Sequence, residues 1–297
     1  MANETTVATL AGYFHTQLID KLAAPYAIDA NCSINHVRVA AVPQGTVAVS
    51  FPTTTKDTAL STTIVEATGA VQVALDTAKA TATSAEVGLL RQSTERAQHN
   101  SLYGAEGLLA QFISDGVALC YEKMETDTNA EWTNASTSVG TSTATFKLAD
   151  LGSALAQHTI NKSLGSLYGY LHATAGKNLR NEVLGSGATW LGTGAGNGLF
   201  QRTNADGFMG EILGVPLYTN NLGLTSGSDK LSCILVDGGA PGQAEYCSTG
   251  LAIAWLPKAS PVFANPVFSG GIQVAITTAY GLVEVVDHPY VKAATIA

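Results

Sequence analysis

The longest regular pattern of apolar positions in the chain runs from Ser101 to Trp132. Apolar or small residues recur every three or four positions, at Leu102, Ala105, Leu109, Phe112, Ile113, Gly116, Cys120 and Met124. This spacing places them on one side of an α-helix about 30 residues and about 45 Å long. Gly104, Gly107 and Gly116 would each cost about 1 kcal/mol relative to alanine, so packing along the apolar side must hold this spine helix.

Before the spine helix the pattern changes to a period of two, which is typical of β-strands. Val47, Val49 and Phe51 alternate with small polar residues, and residues 71–75 repeat the alternation after a Thr- and Ser-rich stretch. We predict a two-stranded ribbon over residues 46–83. Because an isolated two-stranded ribbon is marginally stable in water, it needs a partner surface.

The first 45 residues form an arm with little apolar core of its own. Its apolar positions predict a short amphipathic helix over residues 7–22, and the stretch from there to about Val42 is predicted to be irregular. Two interpretations stay open for the helix. It either docks on another molecule or forms an edge helix of the same domain.

The chain after the spine helix alternates helical and strand patterns. A polar linker over 133–145 precedes predicted helices at 147–159 and 173–184 and a strand at 167–171. A glycine-rich loop at 190–198 is followed by predicted strands at 211–219, 232–236, 250–256, 271–278 and 282–286. Helices followed by a series of strands predict an α+β fold rather than a doubly wound sheet.

The composition is unusual in its charge. Hydrophobic residues make up 46% of the chain, but charged residues only 13%, against about 25% in typical globular domains. Such a surface is either poorly soluble alone or largely covered by other subunits, and we favour the second because interface cores are depleted in charge. The net charge of −8 argues against general binding to nucleic-acid backbone. This charge remains compatible with a protein that surrounds DNA without binding tightly to it.

Searches for catalytic and metal-binding motifs give no candidate. The four cysteines lack zinc-site spacing, the six histidines stand apart, and the glycine-rich loop matches no phosphate-binding pattern. We predict no catalytic, cofactor-binding or metal site. No signal peptide is expected, because residues 1–7 carry no Lys or Arg, and no apolar run is long enough to span a membrane.

Several segments, taken in order, resemble the major capsid proteins of tailed bacteriophages, which have the Hong Kong 97-like coat fold. These are LADLGSALAQ at 148–157, YLHATAGKNLRNEV at 170–183, GEILGVPLYTNNLG at 210–223 and VAITTAYGLVEVVDHPYVKAAT at 274–295. The resemblance implies an N-terminal arm (1–45), an extended β-hairpin E-loop (46–83), a peripheral domain with the spine helix (84–146) and an axial α/β domain (147–257). Closing strands would occupy 258–297.

The resemblance also implies a function and partners. The chain would assemble with itself into hexamers and pentamers of an icosahedral shell that encloses double-stranded DNA. It would be made in the bacterial cytoplasm and reside in the virion. Because the arm begins almost at Met1, we expect a separate scaffolding protein, besides a portal and, as an open possibility, a decoration protein. No covalent cross-link is predicted, although Lys56 lies in the corresponding loop.

Two sets of residues follow as candidates. Contacts between subunits are predicted at Phe14, Phe51, Lys56, Asp57 and Glu66, and the core face of the spine helix at Leu102, Leu109, Phe112, Ile113 and Cys120. Two alternatives stay open. An encapsulin-like compartment would use the same fold around protein cargo, and a soluble α/β enzyme would need a pocket with converging polar groups.

Overall fold

A long helix and two β-sheets organise the computed structural model of the chain. The structure describes residues 4–5, 33–54, 77–100, 104–133, 137–139, 145–160, 166–185, 208–220, 222, 225–226, 229–238, 247, 249–261, 272–285 and 291–295. The predicted helix at 7–22 and the glycine-rich loop at 190–198 lie outside these residues.

The elements follow one another in the order arm root, ribbon, spine helix and mixed α/β region. The arm root is a 3-10 turn that spans Ser33–His36. The helices are α1 (Glu95–Asn100), α2 (Gly104–Thr133), α3 (Leu148–Ile160) and α4 (Ala173–Gly185). The strands are β1 (Glu4–Thr5), β2 (Arg38–Ala41), β3 (Ala48–Thr54), β4 (Thr77–Thr83), β5 (Ala85–Ser93), β6 (Thr137–Val139), β7 (Leu167–Leu171), β8 (Phe208–Ile212), β9 (Val215–Thr219), β10 (Thr225–Ser226), β11 (Asp229–Asp237), β12 (Thr249–Pro261), β13 (Ile272–Glu284) and β14 (Val291–Thr295).

The first sheet has the strand order β1-β5-β13-β12-β2 and carries the spine helix α2 on one face. Its two long strands, β12 and β13, pair antiparallel, and β5 pairs antiparallel with β13. The helix comes close to the sheet at Gly116, where an added Cβ would lie 2.1 Å from Cδ1 of Ile276. Gly116 therefore costs helix propensity but permits the close packing that holds the helix.

The second sheet has the strand order β6-β14-β11-β7-β9-β8, with β10 paired to β11. Helices α3 and α4 cover one face and form with it a core of apolar residues, which we call the apolar core: Phe146, Leu151, Ala154, Leu171, Ala175, Leu179, Met209, Ile212, Val215, Leu217, Cys233 and Leu235. The other face packs against the second half of α2 and β12 through Trp132, Tyr170, Ile234 and Leu251. Successive side chains of β11 face opposite sides of the sheet. Leu235 lies in the apolar core, and Ile234 lies in the cluster formed with α2 and β12.

The ribbon prediction is confirmed for its stem. Strands β3 and β4 pair antiparallel, with Ala48 opposite Thr83 and Thr54 opposite Thr77. The remainder of the ribbon, residues 55–76, lies outside the described residues.

The sequence pattern also located the spine helix, α3, β7 and α4 to within a few residues. Four expectations were wrong. The stretch 23–42 contains strand β2, which pairs parallel with β12, and the linker 133–145 contains β6. Both segments are too short for a readable alternation. The strand predicted at 211–219 is a hairpin, and the strands predicted at 271–278 and 282–286 are the single strand β13.

Candidate assembly surfaces

The predicted core face of the spine helix packs on the first sheet where the structure describes it. Phe112 and Cys120 are buried, and the half-buried Ile113 packs with Cys120 against Val274 and Ile276. Burial also raises the pKa of the Cys120 thiol. Leu102 and the side chain of Leu109 lie outside the described residues, so their assignments stay predictions.

One side of the spine helix carries a fully buried carboxylate that the apolar pattern did not predict. Glu125, with no exposed surface, accepts hydrogen bonds from the backbone N–H of Ser33 (2.7 Å) and of Ile34 (3.2 Å). Its Oε1 also accepts one from Nδ2 of Asn220 (2.8 Å). The carboxylate thus joins the root of the arm, the spine helix and the end of β9.

Asn129, one turn further along the helix, completes this arrangement. Its Oδ1 accepts a hydrogen bond from the Ser33 hydroxyl (2.6 Å), and its Nδ2 donates to the carbonyl of Leu222 (2.6 Å). We call Ser33, Glu125, Asn129 and Asn220 the polar joint. All four residues are buried. Each hydrogen bond is therefore electrostatically stronger than it would be in water, and a buried group left without its partner would destabilise the fold.

Aromatic rings pack around His36, which lies in the same 3-10 turn as Ser33 of the polar joint. The His36 ring stacks on Tyr168 with centroids 3.9 Å apart, and its Nδ1 contacts the Tyr170 hydroxyl. Tyr170 in turn packs on Trp132, whose Nε1 donates to Oγ1 of Thr249 (3.0 Å). The arm root is therefore fixed to the chain by polar and aromatic contacts together.

The base of the ribbon packs into its own chain. Phe51 is 1% exposed and packs with Ala82, Ala252 and Val285. Gly250 makes room for the ring, since a Cβ there would lie 2.7 Å from it. The prediction that Phe51 contacts another subunit is therefore wrong, because small residues of β4 and β12 form an internal site for it.

The other predicted subunit contacts stay predictions. Phe14, Lys56, Asp57 and Glu66 lie outside the described residues.

An open cleft of about 490 Å³ lies between the base of the ribbon and the spine helix. Thr83 and Val87 line one side, and Asp127 and Glu131 line the other, with Tyr280 between them. The Tyr280 hydroxyl donates to Oδ2 of Asp127 (2.6 Å), and Lys123 pairs with the same carboxylate. Burial, followed by the hydrogen bond to Asp127, raises the pKa of the Tyr280 phenol.

Large apolar side chains reach the surface at several separate places. Among the described residues, the exposed ones are Val39, Val47, Leu90, Leu119, Ile160, Leu213 and Leu256. They lie on the first sheet, just before ribbon strand β3, on the spine helix and α3, and in the turn between β8 and β9. Single exposed apolar residues are common on monomers, so a role for any one of them needs a further argument.

The described residues contain no group of three His, Cys, Asp or Glu side chains that could hold a metal ion. None of the helices in the described ranges is long and apolar enough to cross a membrane.

The sequence pattern missed the polar joint for an identifiable reason. Glu125 and Asn129 are four residues apart, so they share one side of the helix, next to the apolar Met124 and Trp132. A hydrophobic stripe flanked by a Glu and an Asn at this spacing could have indicated a buried polar contact. Their partners, Ser33 and Asn220, are about 90 residues away in either direction, and no local pattern identifies them.

Comparison with solved structures reveals the same fold over nearly the whole chain. The capsid of cyanophage P-SCSP1u matches with a TM-score of 0.67 at 12% identity, covering 97% of this chain and 94% of that one. The mature capsid of bacteriophage PhiM1 matches with a TM-score of 0.64 at 10% identity, covering 95% and 92%. A structure from Mycobacterium phage Ogopogo matches with a TM-score of 0.64 at 9% identity, covering 97% and 99%.

No protein-family model matches the chain, and no curated protein does. The likeness is therefore one of structure at very low sequence identity. It confirms the α+β Hong Kong 97-like fold class that the order of sequence segments predicted. The chain has the fold of the phage capsid chains.

Proposed function

We propose that the chain is the major capsid protein of a tailed bacteriophage. It assembles into hexamers and pentamers of an icosahedral shell, and the shell encloses packaged double-stranded DNA. The observation that carries this proposal is the end-to-end structural match to the capsid chains of cyanophage P-SCSP1u and bacteriophage PhiM1.

The composition supports a chain that is covered by its neighbours. With charged residues at 13%, the surface has few of the groups that keep a free monomer soluble. The exposed apolar residues lie on both halves of the molecule rather than in one patch. A subunit with neighbours on several sides would cover such separate sites.

The charge balance supports enclosure of DNA without tight binding to it. Fifteen basic residues against twenty-three acidic ones give the net charge of −8. A negative wall repels the phosphate backbone and leaves the packaged duplex free to move. Sequence-specific recognition of DNA is not part of the proposal.

The proposal includes partners and a location. We expect a separate scaffolding protein and a portal, with a decoration protein as a further possibility, and we place the assembled chain in the virion. We expect the cleft between ribbon and spine helix, and the ribbon residues Lys56, Asp57 and Glu66, to contact neighbouring subunits. Phe14 of the arm belongs to the same expectation.

Two alternative functions would use the same fold differently. An encapsulin-like compartment would form its shell around a protein cargo, and a terminase gene and a portal gene beside this one would exclude it. A soluble enzyme would need converging polar groups in a pocket. The described cleft offers Asp127, Glu131 and Tyr280, but the raised pKa of Tyr280 disfavours the phenolate that a catalytic base would need.

Expression of the chain with its neighbouring genes tests the proposal. We expect particles of megadalton mass by light scattering and closed shells by negative-stain imaging. Shells that hold nuclease-protected DNA when terminase and portal are present support the capsid function, whereas shells that hold only protein support the compartment. A chain that stays a monomer or dimer with a scaffolding protein present contradicts both.

A further inference from the structure

The base of the ribbon rests on two glycines of the first sheet. Gly250 lies on β12, where an added Cβ would lie 2.7 Å from Cδ2 and Cε2 of the Phe51 ring. Gly281 lies on the neighbouring strand β13, where an added Cβ would lie 2.2 Å from the backbone oxygen of Thr83. Non-bonded carbon atoms pack at about 3.5–4.0 Å, so neither position accepts a methyl group unless the ribbon moves.

The two glycines lie on one face of the sheet. Gly281 pairs with Ala252, and Ala252 is two residues from Gly250, so the three positions share a face. Ala252 is fully buried and packs with Phe51. We call Gly250, Ala252 and Gly281 the socket. From the strand spacing and the rise per residue, its two glycines are about 8 Å apart.

Strand β3 is anchored in the socket by the Phe51 ring. The ring is 1% exposed and lies over Gly250. Arg38, which pairs with Gly250 from β2, has its guanidinium carbon 5.5 Å from the ring centroid. Because the ring is enclosed, an atom added at Gly250 displaces β3 and not the ring alone.

Strand β4 has a separate anchor at its end. The backbone of Thr83 and Ser84 crosses directly over Gly281. Ser84 donates two hydrogen bonds to the carbonyl of Val47, one from its backbone N–H (2.8 Å) and one from its hydroxyl (3.0 Å). These bonds join the end of β4 to the start of β3, so the two strands move together.

Two anchors fix the direction of the ribbon, whereas a single anchor would let it pivot. A displacement of about 1 Å at one anchor, with the other about 8 Å away, turns the ribbon by about 7°. The movement grows with distance from the base, and at Ala78, near the far end of β4, it reaches about 2 Å. The direction of the ribbon is therefore sensitive to one methyl group in the socket.

We propose that Gly250 and Gly281 are positioning residues for assembly. Because they have no side chain, the ribbon leaves the subunit at the angle at which it meets the next copy in the shell. The inference deepens the proposed capsid function and rests on it. It assigns to two glycines inside one chain a role in a contact between chains.

The variant Gly250→Ala tests the first anchor by its effect on assembly. The methyl group overpacks the socket, and we expect the concentration for half-assembly to rise about tenfold. In a Phe51→Leu background the smaller side chain leaves room for the methyl group, so the same change should raise that concentration less than about twofold. An equal effect of Gly250→Ala in the two backgrounds, or no effect in the wild-type chain, would overturn the proposal.

A destabilised control separates positioning from stability. Leu151→Ala weakens the apolar core, which does not include the ribbon. Under conditions in which the subunit is folded, it should leave the concentration for half-assembly within about twofold of the wild-type value. If Leu151→Ala and Gly250→Ala impair assembly to the same extent, loss of stability explains both and the positioning role is wrong.

Spin-label distances measure the direction of the ribbon in the unassembled subunit. Labels at Ala78→Cys on β4 and Lys258→Cys on β12 occupy exposed positions. A Cys32→Ser background is used, because the other native cysteines are buried. Gly281→Ala should shift the mean distance between the labels by about 2 Å. Gly152→Ala, which adds a methyl group in open space on α3, should leave it unchanged.

Phe51→Leu keeps the distance measurement decisive if an alanine variant fails to fold. It adds no atoms to the socket but fills it less completely, so the distribution of distances should broaden. An unchanged distribution in Phe51→Leu would contradict control of the ribbon by two anchors.

The two ways to fail are distinguishable. If the wild type forms neither shells nor rings, the proposed capsid function fails and the positioning role fails with it. If shells form equally from the wild type, Gly250→Ala and Gly281→Ala, the capsid function stands and the positioning role is wrong.

Discussion

Both faces of the second sheet pack through apolar side chains, but one of them adds a buried polar network. On one face, α3 and α4 close the apolar core, in which the packed side chains are hydrophobic. On the other, the spine helix meets the sheet beside the polar joint, where Glu125 and Asn129 bind the arm root and the segment 220–222. Apolar contacts tolerate many arrangements, whereas a buried carboxylate with three donors is satisfied in one. The comparison indicates that the polar joint fixes how the arm root and the two sheets are placed.

Replacement of Glu125 by alanine should have the largest effect on stability. The change leaves the N–H groups of Ser33 and Ile34 and the amide of Asn220 without their acceptor, at about 1–3 kcal/mol for each buried donor. We expect a loss of about 4 kcal/mol in the free energy of unfolding, measured by chemical denaturation of the unassembled subunit. Glu122→Ala, one turn earlier and partly exposed, is the control and should change it by less than about 0.5 kcal/mol. A loss below about 1 kcal/mol for Glu125→Ala would contradict the importance of the polar joint.

Replacement of Leu151 by alanine should give the matching value for the apolar core. Leu151 is fully buried between α3 and the second sheet, and such truncations cost about 2–5 kcal/mol through lost burial and the remaining cavity. We expect Leu151→Ala to lower the free energy of unfolding by about 3 kcal/mol in the same denaturation experiment. Leu151→Met, which keeps most of the volume, should cost about 1 kcal/mol or less. If Leu151→Ala lowers the free energy of unfolding more than Glu125→Ala does, the apolar core and not the polar joint contributes most to stability.

Two helix glycines should respond to alanine with opposite signs. Gly116 of α2 lies against Ile276, so an added methyl overpacks the interface with the first sheet, at about 1–3 kcal/mol. This outweighs the gain in helix propensity and should destabilise the chain by about 1 kcal/mol. Gly152 of α3 has open space at its Cβ position, so Gly152→Ala should stabilise the chain by up to about 1 kcal/mol. Thermal melts of the two variants and the wild type test this difference. Melting temperatures that shift in the same direction in both variants would contradict it.

Tyr280→Phe should also have a small effect, about 1 kcal/mol, because it removes one hydrogen bond to Asp127 at the cleft. The effect depends on pH. The unfolded phenol ionises near pH 10, whereas burial and Asp127 raise the pKa in the folded state. The folded state therefore holds its proton as the unfolded state loses it, and wild-type stability falls as pH rises above about 10.

The phenylalanine ring of the variant has no proton to lose, so the stability advantage of the wild type over Tyr280→Phe should shrink above about pH 10. Denaturation midpoints of both proteins between about pH 8 and pH 11 measure this. A constant difference over that range would contradict the raised pKa.

The parts of the fold that local periodicity determines were predictable from the sequence. The apolar spacing in α3 and α4 and the alternation at the ribbon stem follow directly from burial of one side of each element. The pattern predicts one strand at 211–219 where the structure has the end of β8, a turn and β9, because a leucine at the tip gives no turn signal where Asn or Asp would. Gly214 was recognised only as a tight entry into β9.

The contacts between distant segments were beyond a local pattern. The position of Phe51 within its own chain depends on Gly250, some 200 residues later, which leaves space for the ring. The polar joint likewise depends on side chains from three separate segments. The order of whole segments, rather than any single motif, carried the fold class.

The architecture of the assembled particle tests the central claim most directly. A cryo-electron microscopy reconstruction of particles made with the neighbouring genes should contain rings of six and five copies in a closed icosahedral shell. Each copy should have the two sheets and the spine helix described above. A homogeneous monomer or dimer under the same conditions, with a scaffolding protein supplied, would contradict the account.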